Sequence, residues 1–224
     1  MREATPLSRP RELGAVSPAR ADRRPIRSRN ALWAQATASW LARIGVSPNQ
    51  ISLASVLAAG VGAVGLGFFQ QPWNAISCVC GVQLRLLCNL LDGMVAIEHG
   101  KQSQLGVLYN ELPDRVSDSV LFVALGYASG LPWLGWLGVL LAALTAYIRV
   151  FGAALGFAQD FRGPMAKQHR MAALTAGSLI SIVEHFALRT NYILPITCGL
   201  IAAGSLLTCW TRTQALARRL QGRN

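Results

Sequence analysis

The sequence predicts an all-α, polytopic membrane protein: six transmembrane helices preceded by an amphipathic helix lying on the membrane surface. Three observations predict it. Of 224 residues, 52% are hydrophobic and only 14% charged, and the mean hydropathy is +0.36, unlike an ordinary soluble domain. Apolar runs recur at the ~20-residue length that a bilayer-spanning helix needs. The net charge of +11 gathers in tails and loops beside those runs, the pattern of a chain whose basic segments stay on one side of a membrane.

Residues 1–29 are rich in Pro, Arg, Ala and Ser without an apolar period, and read as a disordered basic tail. Their arginines suit an organellar presequence, but Glu3, Glu12, Asp22 and the prolines argue against one, and no secretory signal with an apolar core is present. The membrane domain is expected over 30–212, with a basic C-terminal tail at 213–224. Within 31–44, Trp33, Trp40, Leu41 and Ile44 share one helical stripe. Such a stripe fits either the headgroup layer or a contact with the bundle. Gly45-Val46-Ser47-Pro48-Asn49 then breaks the helix. Six apolar runs follow, at about 51–70, 73–98, 105–128, 131–158, 172–188 and 192–210. The first carries Gly60, Gly62, Gly65 and Gly67, which let membrane helices approach closely. The fourth is over-long, so it tilts or emerges from the bilayer.

Charge sets the orientation. Arginines crowd the first thirty residues; Arg162, Lys167 and Arg170 follow the fourth run, and Arg212, Arg218, Arg219 and Arg223 close the chain. The turns at 70–72, 129–132 and 188–191 hold only Arg189. Both termini and the 99–104 and 159–171 loops are therefore expected on the cytosolic side. Basic charge beside membrane spans suits anionic lipid headgroups better than nucleic acid, so no nucleic-acid partner is expected. Five cysteines fall inside the apolar runs, where they act as small apolar residues at no zinc-like spacing.

The chemistry sits in the second and third runs. Asn89 and Asp92 lie at i, i+3, while Asn110, Asp114 and Asp118 lie at i, i+4, i+8, so each set occupies one face of a helix. Ionisable groups in a bilayer cost several kcal/mol and generally serve function. Asp92 is seven residues before the 99–104 loop and Asn110 six after it, which puts both ~10 Å below one membrane face. Asn89 and Asp114, each ten residues from the loop, should meet ~15 Å deep. Two layers of oxygen donors on facing helices suit Mg²⁺ or Mn²⁺, and two such ions could clamp a displacement at phosphorus. Gly93 and Gly106 leave room for a ligand near the backbone. The bland alternative is structural pairing of Asp92 or Asp114 with Arg85 or Arg115. Asp118 can serve as an acid or complete a buried hydrogen-bond network. Arg149 can hold phosphate or reach the headgroups, and Lys167, His169 and Arg170 could also meet phosphate. Glu184 and His185, toward the opposite face, receive no role.

These residues resemble the CDP-alcohol phosphatidyltransferases, whose signature is D-x2-D-G-x2-A-R-x8-G-x3-D-x3-D. Its acids fall on Asn89, Asp92, Asn110 and Asp114, its glycines on Gly93 and Gly106, its alanine on Ala96 and its arginine on Ile97. Gly45-Val46-Ser47-Pro48-Asn49-Gln50-Ile51-Ser52 looks like the family's approach to the first span, and Tyr147-Ile148-Arg149 with the 162–170 loop like its acceptor-side elements. The resemblance covers about residues 31–210.

It implies transfer of a phosphatidyl or related group from a CDP-alcohol lipid donor to an alcohol acceptor, with release of CMP. It further implies two divalent metals on the four acid positions, Asp114 as the favoured base, and Gly93, Ala96, Gly106, Arg149, Lys167 and Arg170 toward substrate. A multi-pass protein of the bacterial inner membrane, able to form a homodimer among membrane lipids, is the expected setting. Two of the four acids are amides here, which lowers site charge; Glu111 and Asp118 are placed to compensate. Two rival readings follow from the same residues: an inactive lipid-binding or scaffold member, and a transporter with intramembrane acids.

Overall fold

The computed structural model describes residues 31–98 and 106–222, apart from the side chains of Glu98, Val107 and Asn110. The expectations for the 1–29 tail and the 99–104 loop concern residues outside that set. The described chain forms seven helices: α1 (Leu32–Arg43), α2 (Pro48–Phe68), α3 (Trp73–Glu98), α4 (Gly106–Ala128), α5 (Pro132–Ala154), α6 (Lys167–Ala187) and α7 (Ile193–Gln221). The last of these continues through the basic C-terminal segment.

Local signals set the helix ends. After α1, Gly45 takes φ +85°, a conformation that glycine adopts without strain. Ser47 then caps α2: its side chain accepts from the Gln50 backbone, while the Gln50 side chain accepts from the Ser47 backbone at 2.9 Å. Pro48 occupies the first turn, where its missing N–H costs nothing.

Helix α1 packs on the bundle, but not through its tryptophan stripe. Ala34 and Ala38 are fully buried in a cluster with Leu91, Met94 and Val95 of α3, while Trp33 and Trp40 point outward, 54% and 56% exposed. Leu41 departs from the stripe and packs against that cluster. Small residues meet the bundle and tryptophans face the surroundings, as suits the headgroup layer.

Glycines divide in the same way. A Cβ on Gly81 would lie 2.6 Å from the Gly62 Cα, and one on Gly65 would strike Ser77, so α2 and α3 approach at backbone distance. Gly60 and Gly67 face open space. Gly126 and Gly135 repeat the close approach between α4 and α5. The main core gathers Leu66, Val82, Leu121, Phe122, Met171, Leu174 and Ile201 from α2, α3, α4, α6 and α7.

Among the described residues, four helices, α2, α3, α5 and α7, are long and apolar enough to cross a membrane. Helices α4 and α6 have 23 and 21 residues, but their charges (Glu111, Asp114, Arg115 and Asp118; Lys167, Arg170 and Glu184) lower their hydropathy. These two helices carry much of the site.

Candidate active site

Helix α2 packs directly against both α3 and α4, whereas α3 and α4 meet through long side chains. The deepest link is Arg85 of α3, which is fully buried. Its Nη2 donates to Asp118 Oδ1 at 2.8 Å and to Asp114 Oδ1 at 3.3 Å, and its Nη1 to Met171 Sδ at 2.7 Å. One turn further along α3, Asn89 Nδ2 donates to Asp114 Oδ1 at 3.3 Å. The expected meeting of Asn89 and Asp114 therefore occurs, and the Arg85 pairing foreseen as its alternative occurs beside it.

The first turn of α6 closes the opposite side. Lys167 Nζ pairs with Asp114 Oδ2. Arg170 is 1% exposed and donates to Asp118 Oδ2 at 3.0 Å, to the Met165 carbonyl at 2.9 Å and to Thr145 Oγ1 at 3.2 Å. Both Asp118 oxygens are thus held by guanidinium groups inside the bundle. Asp118 and Arg170 are partners of each other within the bundle.

Asp92 differs from its neighbours. It is buried and accepts from Ser52 Oγ of α2 at 2.6 Å, yet makes no ion pair among the described residues. Its expected partner Asn110 lies in α4, with a side chain outside the described residues. Gly93 and Ala96 are half-buried on α3, as is Gly106 where α4 begins. Glu111 turns to Arg149, an ion pair between α4 and α5, and to Arg115 at 3.9 Å. Arg149 also reaches Gln159 and lies 5.5 Å over the Phe161 ring. Among the described residues, no three His, Cys, Asp or Glu side chains converge as a metal cluster. The reason is physical: two acid positions are amides, and three of the acids face arginine or lysine.

The segment that delivers Lys167 is anchored by α7. Arg212 donates to the carbonyls of Arg162 at 2.8 Å and Thr145 at 2.6 Å, and the Met165 N–H donates to Thr208 Oγ1 at 2.9 Å. Asp160 accepts from Arg162 at 2.8 and 3.0 Å and pairs with Arg219 at 3.6 Å. Hydrogen bonding to Arg162 holds the Asp160 carboxyl below its usual range, against a smaller desolvation effect. At the far end, Glu184 accepts from Thr190 Oγ1 at 2.7 Å and from the Tyr192 and Ile193 N–H groups at 2.6 and 3.0 Å. A residue without a role in the sequence reading thus satisfies the start of α7.

Sequence reasoning missed Ser52 and Arg212. A serine one turn beyond a capping box, inside an apolar span, was the available signal for Ser52. Arg212 gave none beyond its charge.

This geometry agrees with the comparisons. Residues 45–214 match the CDP-alcohol phosphatidyltransferase family, and the chain belongs to that family; it is a membrane transferase of phospholipid synthesis. An archaetidylinositol phosphate synthase of Aeropyrum pernix is 35% identical over 153 residues, covering 66% of this chain and 75% of the relative. A phosphatidylinositol phosphate synthase of Streptomyces avermitilis is 28% identical over 196 residues, covering 81% of this chain and 76% of the relative. The crystal structure of Mycobacterium tuberculosis phosphatidylinositol phosphate synthase with CDP-DAG bound superposes with a TM-score of 0.70 at 23% identity, covering 83% of this chain and 94% of that one. The same enzyme in complex with manganese and citrate gives 0.70 at 22% identity, covering 82% and 88%. These two likenesses establish the fold.

Proposed function

We propose that this chain transfers the phosphatidyl, or a related phospho-alcohol, group of a CDP-alcohol such as CDP-diacylglycerol to an alcohol acceptor, releasing CMP. The observation that carries the reading is the Asn89–Asp114 hydrogen bond at 3.3 Å between α3 and α4, with Asp92 one turn further along α3, at the signature's spacing. In the reaction the acceptor oxygen forms a bond to the lipid-side phosphorus. The bond from that phosphorus to the bridging oxygen breaks, and CMP leaves with the electron pair. Asp114 takes the acceptor's proton.

A divalent cation, Mg²⁺ or Mn²⁺, fits at Asp92. A buried carboxylate without an ion pair is costly, and an oxygen donor of this kind suits a hard cation. Asp92 and Asn89, with Asn110 and Glu111 from α4, are the residues that would hold it. When bound, such an ion neutralises phosphate oxygens. The two-ion count expected from the signature requires Asp114 to be free of Lys167, and Mn²⁺ titration counts the ions.

The acceptor carries a phosphate in this reading. Its support is the inositol phosphate named in the relatives, together with Lys167 and Arg149 on the acceptor side of the site. Gly93, Ala96 and Gly106 border the nucleotide. In this reading the chain crosses the inner membrane of a bacterial cell six times, with α4 and α6 as its charged spans and both termini in the cytosol. A homodimer is part of the proposal. The test is to incubate the purified protein with CDP-diacylglycerol, Mg²⁺ or Mn²⁺ and a panel of alcohols and polyol phosphates, following CMP. Metal-dependent CMP release with one acceptor supports the reading; no release with any pair sinks it.

A further inference from the structure

We propose that Lys167 is a built-in cation of this site: its ammonium holds the face of Asp114 that a second divalent ion would take, so the chain works with one ion, seated at Asp92. The inference rests on the metal-dependent transferase reading above and adds how many ions serve it and which residue replaces one.

The two signature aspartates have opposite surroundings. Asp114 is paired on both oxygens: Arg85 and Asn89 donate to Oδ1, each at 3.3 Å, and Lys167 pairs with Oδ2. Its neighbour Asp118 takes Arg85 at 2.8 Å and Arg170 at 3.0 Å. Two carboxylates therefore face three cations, Arg85, Lys167 and Arg170, a local balance of +1. A divalent ion entering there meets net positive charge in a low-dielectric interior. Asp92 accepts from the Ser52 hydroxyl at 2.6 Å and from the Gly93 backbone, and has no ion pair among the described residues. Its charge is the one left for a cation to neutralise.

Asn89 follows from the same logic. An aspartate at that position would bring a second carboxylate to about the 3.3 Å separation now spanned by a hydrogen bond, and like charges that close need a cation between them. The amide removes the repulsion and donates instead. Asn89 and Lys167 thus hold the two oxygens of Asp114 by direct bonds.

Lys167 is also fixed in place. It opens α6 directly after the segment tied to α7 through Met165 and Thr208 at 2.9 Å and through Arg162 and Arg212 at 2.8 Å. Its side chain is 31% exposed, against 1% for Arg170, so of the two α6 cations it is the one on the accessible side.

The experiment is a Mn²⁺ titration of the purified full-length protein in detergent micelles, without substrate, read by the electron paramagnetic resonance signal of free Mn²⁺. Wild type should bind about one ion per chain, and Lys167→Arg, which keeps a cation, about one. Asn89→Asp/Lys167→Gln should bind about two, and its Tm should rise with Mn²⁺ more than that of wild type. Asp92→Asn should bind none at concentrations that saturate wild type. Two ions on wild type, or one on a folded double variant, overturns the proposal. If the double variant does not fold, the wild-type count decides alone. Absence of Mn²⁺ binding by wild type, with CMP release persisting in chelator, instead removes the metal reading itself.

Discussion

Arg85 Nη2 donates to Asp118 Oδ1 at 2.8 Å across the interior of the bundle, and neither side chain is more than 3% exposed. A pair this deep is weak evidence for net stabilisation, because both charges have lost water. Removing one partner is a different matter. Arg85→Met leaves Asp118 with Arg170 alone and takes one cation from Asp114. We expect a loss of about 3–5 kcal/mol, measured as a large fall in Tm in detergent. A change within the error of the measurement would mean that Arg85 does not balance these acids.

Asp114→Asn should abolish transfer while leaving a folded protein. The amide keeps the shape, but its one oxygen can accept either from Arg85 and Asn89 or from Lys167, and it cannot take a proton from the acceptor. A loss of about 10²–10⁴ in CMP release is expected for removing a general base. The control is the elution profile and Tm of the variant. Near-normal turnover by a folded Asp114→Asn protein would move the base to Glu111, since Asp118 is closed in by two guanidinium groups.

Ser52→Ala tests the support under Asp92. The hydroxyl donates to Asp92 Oδ2 at 2.6 Å from a different helix, the kind of outer contact whose loss costs about 10–100-fold in metal affinity. We therefore expect the Mn²⁺ midpoint to rise by roughly that factor, with the ion count unchanged. An unaltered midpoint would place the metal away from Asp92.

How much of this was legible in the sequence depended on the distance between the partners. The helical pitch of Asn89 and Asp92, and of Asp114 and Asp118, is a local property, and it located the facing pair correctly. Arg85 entered as an alternative partner because it lies one turn before Asn89. Ser52 is 40 residues from Asp92, and Lys167 is 53 from Asp114. Those contacts depend on how α2 and α6 pack against α3 and α4, which no periodicity states. Arg149 and Glu111 were read separately, one toward phosphate and one toward metal, and their pairing emerges only when α4 and α5 come together. The glycines of α2 were half legible: period predicts a small-residue face but not that Gly62 and Gly65 are the contacting members.

The Asp160 cluster predicts a pH dependence outside the membrane spans. Its hydrogen bond to Arg162 depresses the folded carboxyl below the ordinary value of 3.8. A depressed acid contributes stability that is fully present above the unfolded value and is lost as pH falls through the folded one. The contribution is therefore complete at neutral pH and fades only below about 4. Because Arg162 is largely in water, screening keeps it small. Comparing Tm against pH for wild type and Asp160→Asn checks this: the two curves should converge at the acid end, with wild type slightly higher at neutral pH. A gap that widens as pH falls would contradict the sign.

Gly163→Ala should disturb the site without touching it. Gly163 has φ +126°, a backbone conformation that side chains rarely adopt, and a Cβ there would lie 2.4 Å from Thr208 Cγ2 and 2.9 Å from Thr208 Cβ and Oγ1. The substitution therefore meets a backbone penalty of about 1–3 kcal/mol and a clash with α7. Relief of either one moves the 155–166 segment, and with it the Met165–Thr208 bond and the base of Lys167. We expect a lower Tm and a fall in CMP release that added acceptor does not restore, because the Lys167 contact with Asp114 is displaced along with the backbone. Thr208→Ser removes the nearest clashing atom, Cγ2, and leaves both φ and the 2.9 Å contacts at Cβ and Oγ1 unchanged. In the Thr208→Ser background, Gly163→Ala should recover only part of the lost Tm. Full recovery would mean that the clash alone was responsible and that the left-handed backbone at 163 carries no strain.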